Sequence, residues 1–380
     1  MMQNQTQQWV IQICHSYYPP FLDCARQYAV LFKDSPYKVL TVYLTGEANV
    51  GTEQGSASDK VVFLGYKSSQ VRGLKLGAIH KIKQLNQSYT FKFCIAHRVK
   101  PTYVALLATN LPVISVHHNY NDYSSWSRRI IVNFFKSRLL MLGVSNSVRN
   151  DLRRDLRGWE AEKIQTLYNR IDVFTTQLSM LSKTEARKAL NLPQSAWIVG
   201  SVGRLHHDKD HATLIRGFEK SLLQLPKNSL LVIVGKGPLE ESLKRLVANL
   251  KLESNVIFTG NLPDAKRYFK AFDVFALTSD HEPFGMVLLE AMVAELPIIC
   301  SDCGGGAEVV KNIGQLFSLG NSDELATQLV NTYQVDVQNH HQKQSWQDSN
   351  MQIELNRYFS DEAAKGYFWC LPFVKQCISN

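Results

Sequence analysis

Five short apolar runs in the C-terminal half alternate with stretches of helical period. The runs are Trp197–Val202, Leu230–Val234, Val256–Thr259, Val274–Thr278 and Ile298–Cys300; the helical patterns include His211–Leu225, Leu239–Leu250, Asp264–Phe272 and Gly285–Glu295. Apolar strands joined through helices pair by crossovers rather than hairpins, which gives a parallel sheet covered on both faces. The pattern therefore predicts a doubly wound α/β domain. The N-terminal half repeats it less cleanly. Val10–Cys14, Val39–Leu44, Val61–Leu64, Phe91–Ala96, Val113–Val116 and Leu140–Val144 read as strands, with helices after Phe21 and over Leu74–Leu85. A chain of 380 residues has room for two such domains. Lys163–Val173 reads as the crossing between them. Asn331–Gln352, rich in Gln, Asn and His and without period, reads as a loop or loosely ordered insertion, and Glu354–Leu371 returns to a helical, aromatic pattern. The expected divisions are 1–170, 171–352 and 353–380.

Ligands of such sheets bind beyond the carboxyl ends of the strands. Polar and glycine-containing motifs sit there: Gly203 to Lys209, Gly235-Lys236-Gly237, Gly260 with Asn261, and Glu282. The segment Ser279–Glu290 is the most informative of them. Pro283 suits a first helical turn, and an exposed Gly285 admits a ligand to the backbone N–H groups that follow. Those groups and the positive helix end form an anion site. Glu290 lies among apolar neighbours, so its charge needs a partner. Eight helical residues rise about 12 Å, whereas the carboxyl pair of a glycosidase is about 5–9.5 Å apart. Glu282 and Glu290 thus read as grips on opposite ends of one long ligand, such as a sugar nucleotide. For either acid alone, a capping carboxylate or a single polar helix position is the plain alternative.

Hydrophobic residues make up 45% and charged residues 20%, the balance of a soluble globular chain. No run reaches the roughly 18 apolar residues of a membrane span. The start, Met-Met-Gln-Asn-Gln-Thr-Gln-Gln, has neither the basic cluster nor the apolar core of a secretory signal. Seven cysteines do not suggest a disulfide framework. Cys300 and Cys303 form a CxxC without a second pair or His cluster, so buried thiols are the simpler reading. A cytoplasmic chain is expected. The net charge of +9 is uneven: Lys and Arg outnumber Asp and Glu 22 to 11 over residues 1–172, against 20 to 22 in the remainder. The excess thickens in Arg128–Arg170, with Arg149, Arg153, Arg154 and Arg157 on one predicted helix. That face is either solvated or drawn to an anionic membrane surface or phosphorylated acceptor. No aromatic-interleaved basic motif points to nucleic acid.

Taken together, four blocks give the chain a family likeness. Val202-Gly203-Arg204-Leu205 with Lys209 and Asp210, Val234-Gly235-Lys236-Gly237-Pro238, Glu282-Pro283-Phe284-Gly285 through Glu290, and Cys303-Gly304-Gly305-Gly306-Ala307-Glu308-Val309-Val310 occur in order, each after an expected strand. The chain resembles the retaining family-4 glycosyltransferases of the GT-B fold, most strongly over 197–325. The resemblance implies two Rossmann-like doubly wound domains with an interdomain cleft and a C-terminal helix returning to the N-terminal domain. It also implies transfer of a sugar from a nucleotide-diphosphate sugar to a glycan or lipid-linked glycan, with retention of anomeric configuration. The setting would be lipopolysaccharide core or other cell-surface polysaccharide synthesis, on the cytoplasmic face of a membrane.

In that family Arg204 and Lys209 would hold the donor diphosphate and Glu282 the sugar hydroxyls. Phe284, Gly285, Met286 and Val287 would offer backbone groups, and Glu290 would take the ribose. Gly203, Lys236, Gly237 and Asn261 would complete donor binding. Family members carry a His after the strand that Val113–Val116 forms here; His118 fits its spacing and would face the donor sugar, with His117 pointing the other way. Asp122, Tyr123 and His117 become acceptor candidates. Surface loop charges (Arg204, Lys209) and a structural His118 are the alternatives. No Asp-x-Asp pair stands at a strand end, so neither metal nor cofactor is expected. Three departures stand out: His15-Ser16-Tyr17-Tyr18-Pro19-Pro20 lacks a Gly-Gly pair, Glu295 stands where a helix-ending Gly is usual, and the insertion at 331–352 has no counterpart. A sugar-nucleotide epimerase of the same fold and a non-catalytic partner subunit are the competing readings. Slow donor hydrolysis separates a competent site from an inert one.

Overall fold

The computed structural model describes residues 7–18, 21–339 and 346–379. Seven of its strands form one sheet: β1 (Gln8–Cys14), β2 (Tyr37–Thr45), β3 (Lys60–Tyr66), β4 (Phe91–His97), β5 (Val113–His117), β6 (Leu139–Gly143) and β7 (Ile164–Thr166). Their order is β3-β2-β1-β4-β5-β6-β7 and every pairing is parallel. Val10, Ile11, Ile13, Cys94, Ile95, Val113 and Ile114 are essentially without exposure. Burial on both faces is why these strands read as continuous apolar runs.

The second sheet comprises β8 (Ile198–Val202), β9 (Leu230–Val234), β10 (Val256–Gly260), β11 (Val274–Leu277), β12 (Ile298–Ser301) and β13 (Gln315–Phe317). It is again parallel, in the order β10-β9-β8-β11-β12-β13. Val199, Leu231, Ile233 and Val274 pack against Leu214, Phe218 and Leu325 of the covering helices. Each sheet has one point where strand order reverses, between β1 and β4 in the first and between β8 and β11 in the second. Crevices beyond the strand ends open at such points.

The chain divides into two compact units, Met1–Asn169 with Asp361–Asn380, and Arg170–Ser360. It therefore crosses twice. Within the first unit the returning segment is well anchored. Phe368, with no exposure, meets the rings of Phe32 and Phe93, and Trp369 Nε1 donates to the Leu31 carbonyl at 3.0 Å. Arg26 pairs with Asp361 at 3.3 Å. The return starts at Asp361 rather than at 353, because the helix Trp346–Tyr358 packs on the helix Met286–Val293 of the second unit and buries Met351 and Leu355.

Four sequence expectations change. The insertion at 331–352 is largely helical: Ser322–Asn339 and Trp346–Tyr358 occupy its two ends, and 340–345 lie outside the described residues. One buried stripe suffices, with Leu325, Leu329 and Thr332 inside and the Tyr333 ring against Trp197 at 5.6 Å. Cys303–Val310 is not a glycine-rich loop; Gly304–Val310 is a helix. Asp264–Phe272 holds a 3-10 helix, Ala265–Ala271. Arg157 lies beyond the helix Asn146–Asp155, which carries Arg149, Arg153 and Arg154. Residues 1–6, read for a secretory signal, and Pro19-Pro20 of the β1 loop lie outside the described residues.

Candidate functional site

Lys209 closes a 3-10 turn, His207–Lys209, in the loop after β8. Asp210 then caps the helix His211–Ser221, accepting from Thr213 N at 3.3 Å and Thr213 Oγ1 at 2.6 Å. Thr278, directly after β11, donates its hydroxyl to the carbonyls of Lys209 (2.8 Å) and Asp210 (3.0 Å). The two loops at the strand-order reversal are thus tied together. Across that tie Lys209 Nζ donates to Glu282 Oε2 at 2.6 Å, and Ser279 Oγ donates to the same oxygen at 3.2 Å. Glu282 is only 7% exposed. Removing Lys209 would leave the buried carboxylate without its cation, which is costly.

The segment carrying Glu282 is clamped from behind. Gly305 N donates to the Glu282 carbonyl at 2.8 Å, and a Cβ on Gly305 would stand 2.1 Å from the Pro283 oxygen. Glycine is required here for close approach. On the other side, the loops after β8 and β9 are knitted by Gly203 N to Val234 O and Leu205 N to Lys236 O. Gly235, at φ 143°, lies so near that a Cβ would come within 1.9 Å of the Gly203 oxygen.

The helix Met286–Val293 begins after Gly285, at φ 90°, with no side-chain cap. Pro283 therefore precedes the helix rather than opening it, and Gly285 is buried rather than exposed. The interval Glu282–Glu290 includes non-helical residues, so the 12 Å helical-rise estimate does not describe it. Met286 and Glu290, four apart, share one helix face, and Glu290 is half-buried rather than sunk in the apolar interior. Phe284 is 3% exposed with its ring on Phe359, which leaves its backbone as the part a ligand could reach. Val287 is half-buried; Lys236 and Asn261 are exposed. Arg204 extends into solvent and reaches Asp208 at 3.4 Å. Burial works against the Asp208 charge, yet His206, Lys209 and Arg204 hold its carboxyl below the ordinary value. Two cations, a helix start with glycine as its N-cap and two carboxylates at one strand-order reversal can take a phosphate between hydroxyl-bearing ends.

Residues 182–334 match the family described as Glycosyl transferases group 1. This stretch is a glycosyl transferases group 1 domain. The residues named above from Gly203 to Glu290 fall inside this stretch. The lipopolysaccharide core biosynthesis glycosyltransferase LpsD of Rhizobium meliloti is 36% identical over 125 residues, 33% of this chain and 35% of LpsD. The N-acetylgalactosamine-N,N'-diacetylbacillosaminyl-diphospho-undecaprenol 4-alpha-N-acetylgalactosaminyltransferase of Campylobacter jejuni is 28% identical over 221 residues, 55% of this chain and 57% of that one. The chain thus spans from about one third to little more than half the length of these relatives. The structure of Anabaena HepE in complex with UDP and glucose superposes with a TM-score of 0.75 at 23% identity, covering 98% of this chain and 99% of HepE. The fold of both units is that of GT-B glycosyltransferases.

Outside the matched stretch, His117 ends β5 and is buried, whereas His118, the next residue, is half-buried. Gln12 Nε2 donates to the Ala25 carbonyl and to Thr41 Oγ1, so its Oε1 accepts from His97 Nε2 at 3.2 Å. His97 Nδ1 must then accept from His118 Nε2 (3.1 Å), and His118 Nδ1 from the Cys24 thiol (3.6 Å). Burial first, then the neighbouring His97 and Arg98, keeps His118 neutral by lowering its pKa well below the ordinary value. Both nitrogens of the half-buried His118 ring thus have protein partners. His117 and Tyr123 are corrected as direct acceptor contacts. Both have no exposure: His117 Nδ1 bonds Asp122 at 2.7 Å, and the Tyr123 hydroxyl lies 3.5 Å from His117 Nε2. Asp122 lines a pocket of about 320 Å³ together with His15, Arg98, Val99, Lys100, Pro101 and Arg128. Sequence reasoning passed over Arg98 and Lys100, although two cations directly after an apolar strand repeat the signal that singled out Arg204 and Lys209.

Cys300 is buried, and Cys303 Sγ donates to the Asp280 carbonyl at 2.9 Å; burial pushes both thiols up. Among the described residues, no three His, Cys, Asp or Glu side chains gather as metal ligands, and no helix is long and apolar enough to cross a membrane.

Proposed function

We propose that the protein transfers a sugar from a nucleotide-diphosphate sugar to a glycan or glycolipid acceptor with retention of configuration and without a metal. The carrying observation is the Lys209–Glu282 pair, its carboxylate buried and its ammonium half-buried, just before the helix Met286–Val293 and its N-cap Gly285. On donor arrival Lys209 turns to the diphosphate, joined by Arg204, and Glu282 is released to bond sugar hydroxyls. Backbone groups of Phe284 to Val287 face the sugar and phosphate, and Glu290 takes the ribose. As the bond from the anomeric carbon to the phosphate oxygen breaks, the acceptor oxygen attacks from the same face. Its proton passes to the leaving phosphate. Charge that grows on that phosphate is what the two cations and the helix end stabilise. The UDP and glucose of the Anabaena neighbour support a nucleotide donor and make UDP the first to try in a panel with GDP and ADP sugars.

The names of the Rhizobium and Campylobacter relatives support a cell-surface glycolipid acceptor, with lipopolysaccharide core first. With such an acceptor, the proposed setting is the cytoplasmic face of a membrane. Trp126, Ile130 and Phe134 recur every four residues on the helix Trp126–Phe134 and are 69%, 57% and 81% exposed. Arg129, Arg154 and Arg157 lie in the adjoining pocket. An apolar stripe flanked by Arg suits an anionic lipid surface. Sedimentation with anionic and neutral vesicles tests this, and equal binding to both, or none, removes the membrane part.

Glu282→Gln is expected to lower turnover at least about 100-fold with little change in nucleotide affinity, the pattern of an interaction made mainly in the transition state. Glu290→Gln is expected to weaken nucleotide binding about tenfold. Steady-state kinetics and nucleotide titration read the two effects. Unchanged kinetics in both variants would make the site assignment wrong.

A further inference from the structure

The strand-order reversal of the first sheet lies between β1 and β4. His15 directly follows β1, and Arg98 and Lys100 follow β4; with Arg128 and Asp122 they line the 320 Å³ pocket. We propose that this pocket holds a phosphate or diphosphate group carried by the acceptor, gripped by Arg98, Lys100 and Arg128. The proposal rests on the glycosyltransferase reading for the word acceptor, and on the first unit alone for the site.

The cations of the pocket form no ion pairs among the described residues. Among the described residues, none of Arg98, Lys100, Arg128 and the nearby Arg72 and Lys75 has a carboxylate within ion-pair distance; Lys75 turns to the Gly73 carbonyl and Arg128 to the Asp122 carbonyl. The one acid in the lining, Asp122, is committed to His117. Lys100 stands in the first turn of the helix Val99–Ala108, which contains no acidic residue there. A cation at that end opposes the helix dipole, where an anion would be favoured. Arg98 adopts φ 71° and ψ 175°, a region nearly reserved for glycine, held by its N–H to the Val116 carbonyl at 2.7 Å. Burial first, then the cations around it, lowers the pKa of Lys100, of Lys75 and of His15. His15 Nδ1 is a buried ring nitrogen without a partner. A fold that gathers cations at a ligand crevice, on a helix end of the same sign, is arranged for a multiply charged anion. Two guanidinium forks and an ammonium match phosphate oxygens, and the volume accommodates a phosphate with the sugar next to it.

The test uses the full chain and pyrophosphate as probe, titrated calorimetrically at fixed low salt. Two pyrophosphate sites are expected in the wild type, one at Arg204–Lys209 and one in this pocket. Lys100→Ala combined with Arg128→Ala is expected to lose the second, or weaken it at least about tenfold, while UDP affinity stays within twofold. Neither side chain has an ion pair to break, and Lys100→Arg serves as the conservative variant, expected to restore binding. Two further arms separate the sources of the phosphate: glucose 1-phosphate as a free phosphomonoester, and neutral vesicles containing a polyprenyl diphosphate. Wild-type stoichiometry and affinity for pyrophosphate in the double variant overturn the proposal. Absence of UDP and nucleotide-sugar binding in every form overturns the donor reading instead, and leaves the pocket to be judged on pyrophosphate alone.

Discussion

His211 opens the helix that Asp210 caps, two positions past Lys209, and is 3% exposed with its Nδ1 unpartnered among the described residues. Burial, reinforced by the Lys209 charge, pulls its pKa from 6.5 to about 4. The ring is neutral in the fold, whereas in the unfolded chain it takes a proton below 6.5. Acid therefore favours unfolding, and the stability tied to this group is lost as pH falls from about 6.5 towards 4. Between pH 7 and pH 5 the loss from His211 alone is about 2 kcal/mol. His211→Gln is expected to flatten this part of the urea-midpoint profile; an unchanged slope between pH 7 and 5 would show that His211 is not the titrating group. Of the candidate site, the residues legible in the sequence were those whose type is unusual for their place: charged side chains just beyond apolar strands. The Lys209–Glu282 pairing was not legible, because 73 residues separate partners that only the reversal between β8 and β11 brings together. The partners of His118 were not legible for a related reason. Its spacing fitted a ligand contact, while the hydrogen-bond chain from Gln12 through His97 to Cys24 is a tertiary fact without a local signature.

At the scale of elements, strands were legible where β-branched residues are buried on both faces, as in Leu230–Val234, which coincides with the expected run. The edges β7 and β13, three residues each, are too short to show a period. Gly304–Val310 read as a loop because three glycines oppose a helix on propensity. They are tolerated because a Cβ at 305 would collide with the Pro283 oxygen, so tertiary approach overrides propensity. The end of Met286–Val293 was legible in finer detail. Glu295 takes the place of a helix-ending glycine and adopts φ 60°. A side chain in that conformation costs about 1–2 kcal/mol, and glycine gives back about 0.5–1 through its freer unfolded chain. Glu295→Gly is thus expected to stabilise the second unit by about 0.5–1 kcal/mol in denaturant titration. A loss of stability would mean that the Glu295 side chain makes a compensating contact.

The molecule as a whole crosses between its units at 169/170 and again at 360/361, so its last twenty residues belong to the unit in which the chain began. Composition alone does not reveal such a return, since Asp361–Cys370 and Pro372–Ser379 are amphipathic helices that could cover either sheet. The partners decide it. Phe368 fills the space by Phe32 and Phe93, Val374 has no exposure, and Lys163 lies 4.9 Å from the Phe373 ring centre. Each fully buried side chain of this size contributes about 1.5–3 kcal/mol, so Phe368, Leu371 and Val374 together approach the whole stability of an ordinary domain. Deleting 361–380 is therefore expected to lower or abolish the melting transition of the first unit. The second unit keeps its sheet, its covering helices and the Lys209–Glu282 pair, and should retain nucleotide binding. Calorimetry with and without UDP reads both outcomes: a transition that responds to UDP should survive the truncation while the other moves down. If the UDP-responsive transition is the one lost, the returning helices support the donor side and the division of labour between the units is wrong.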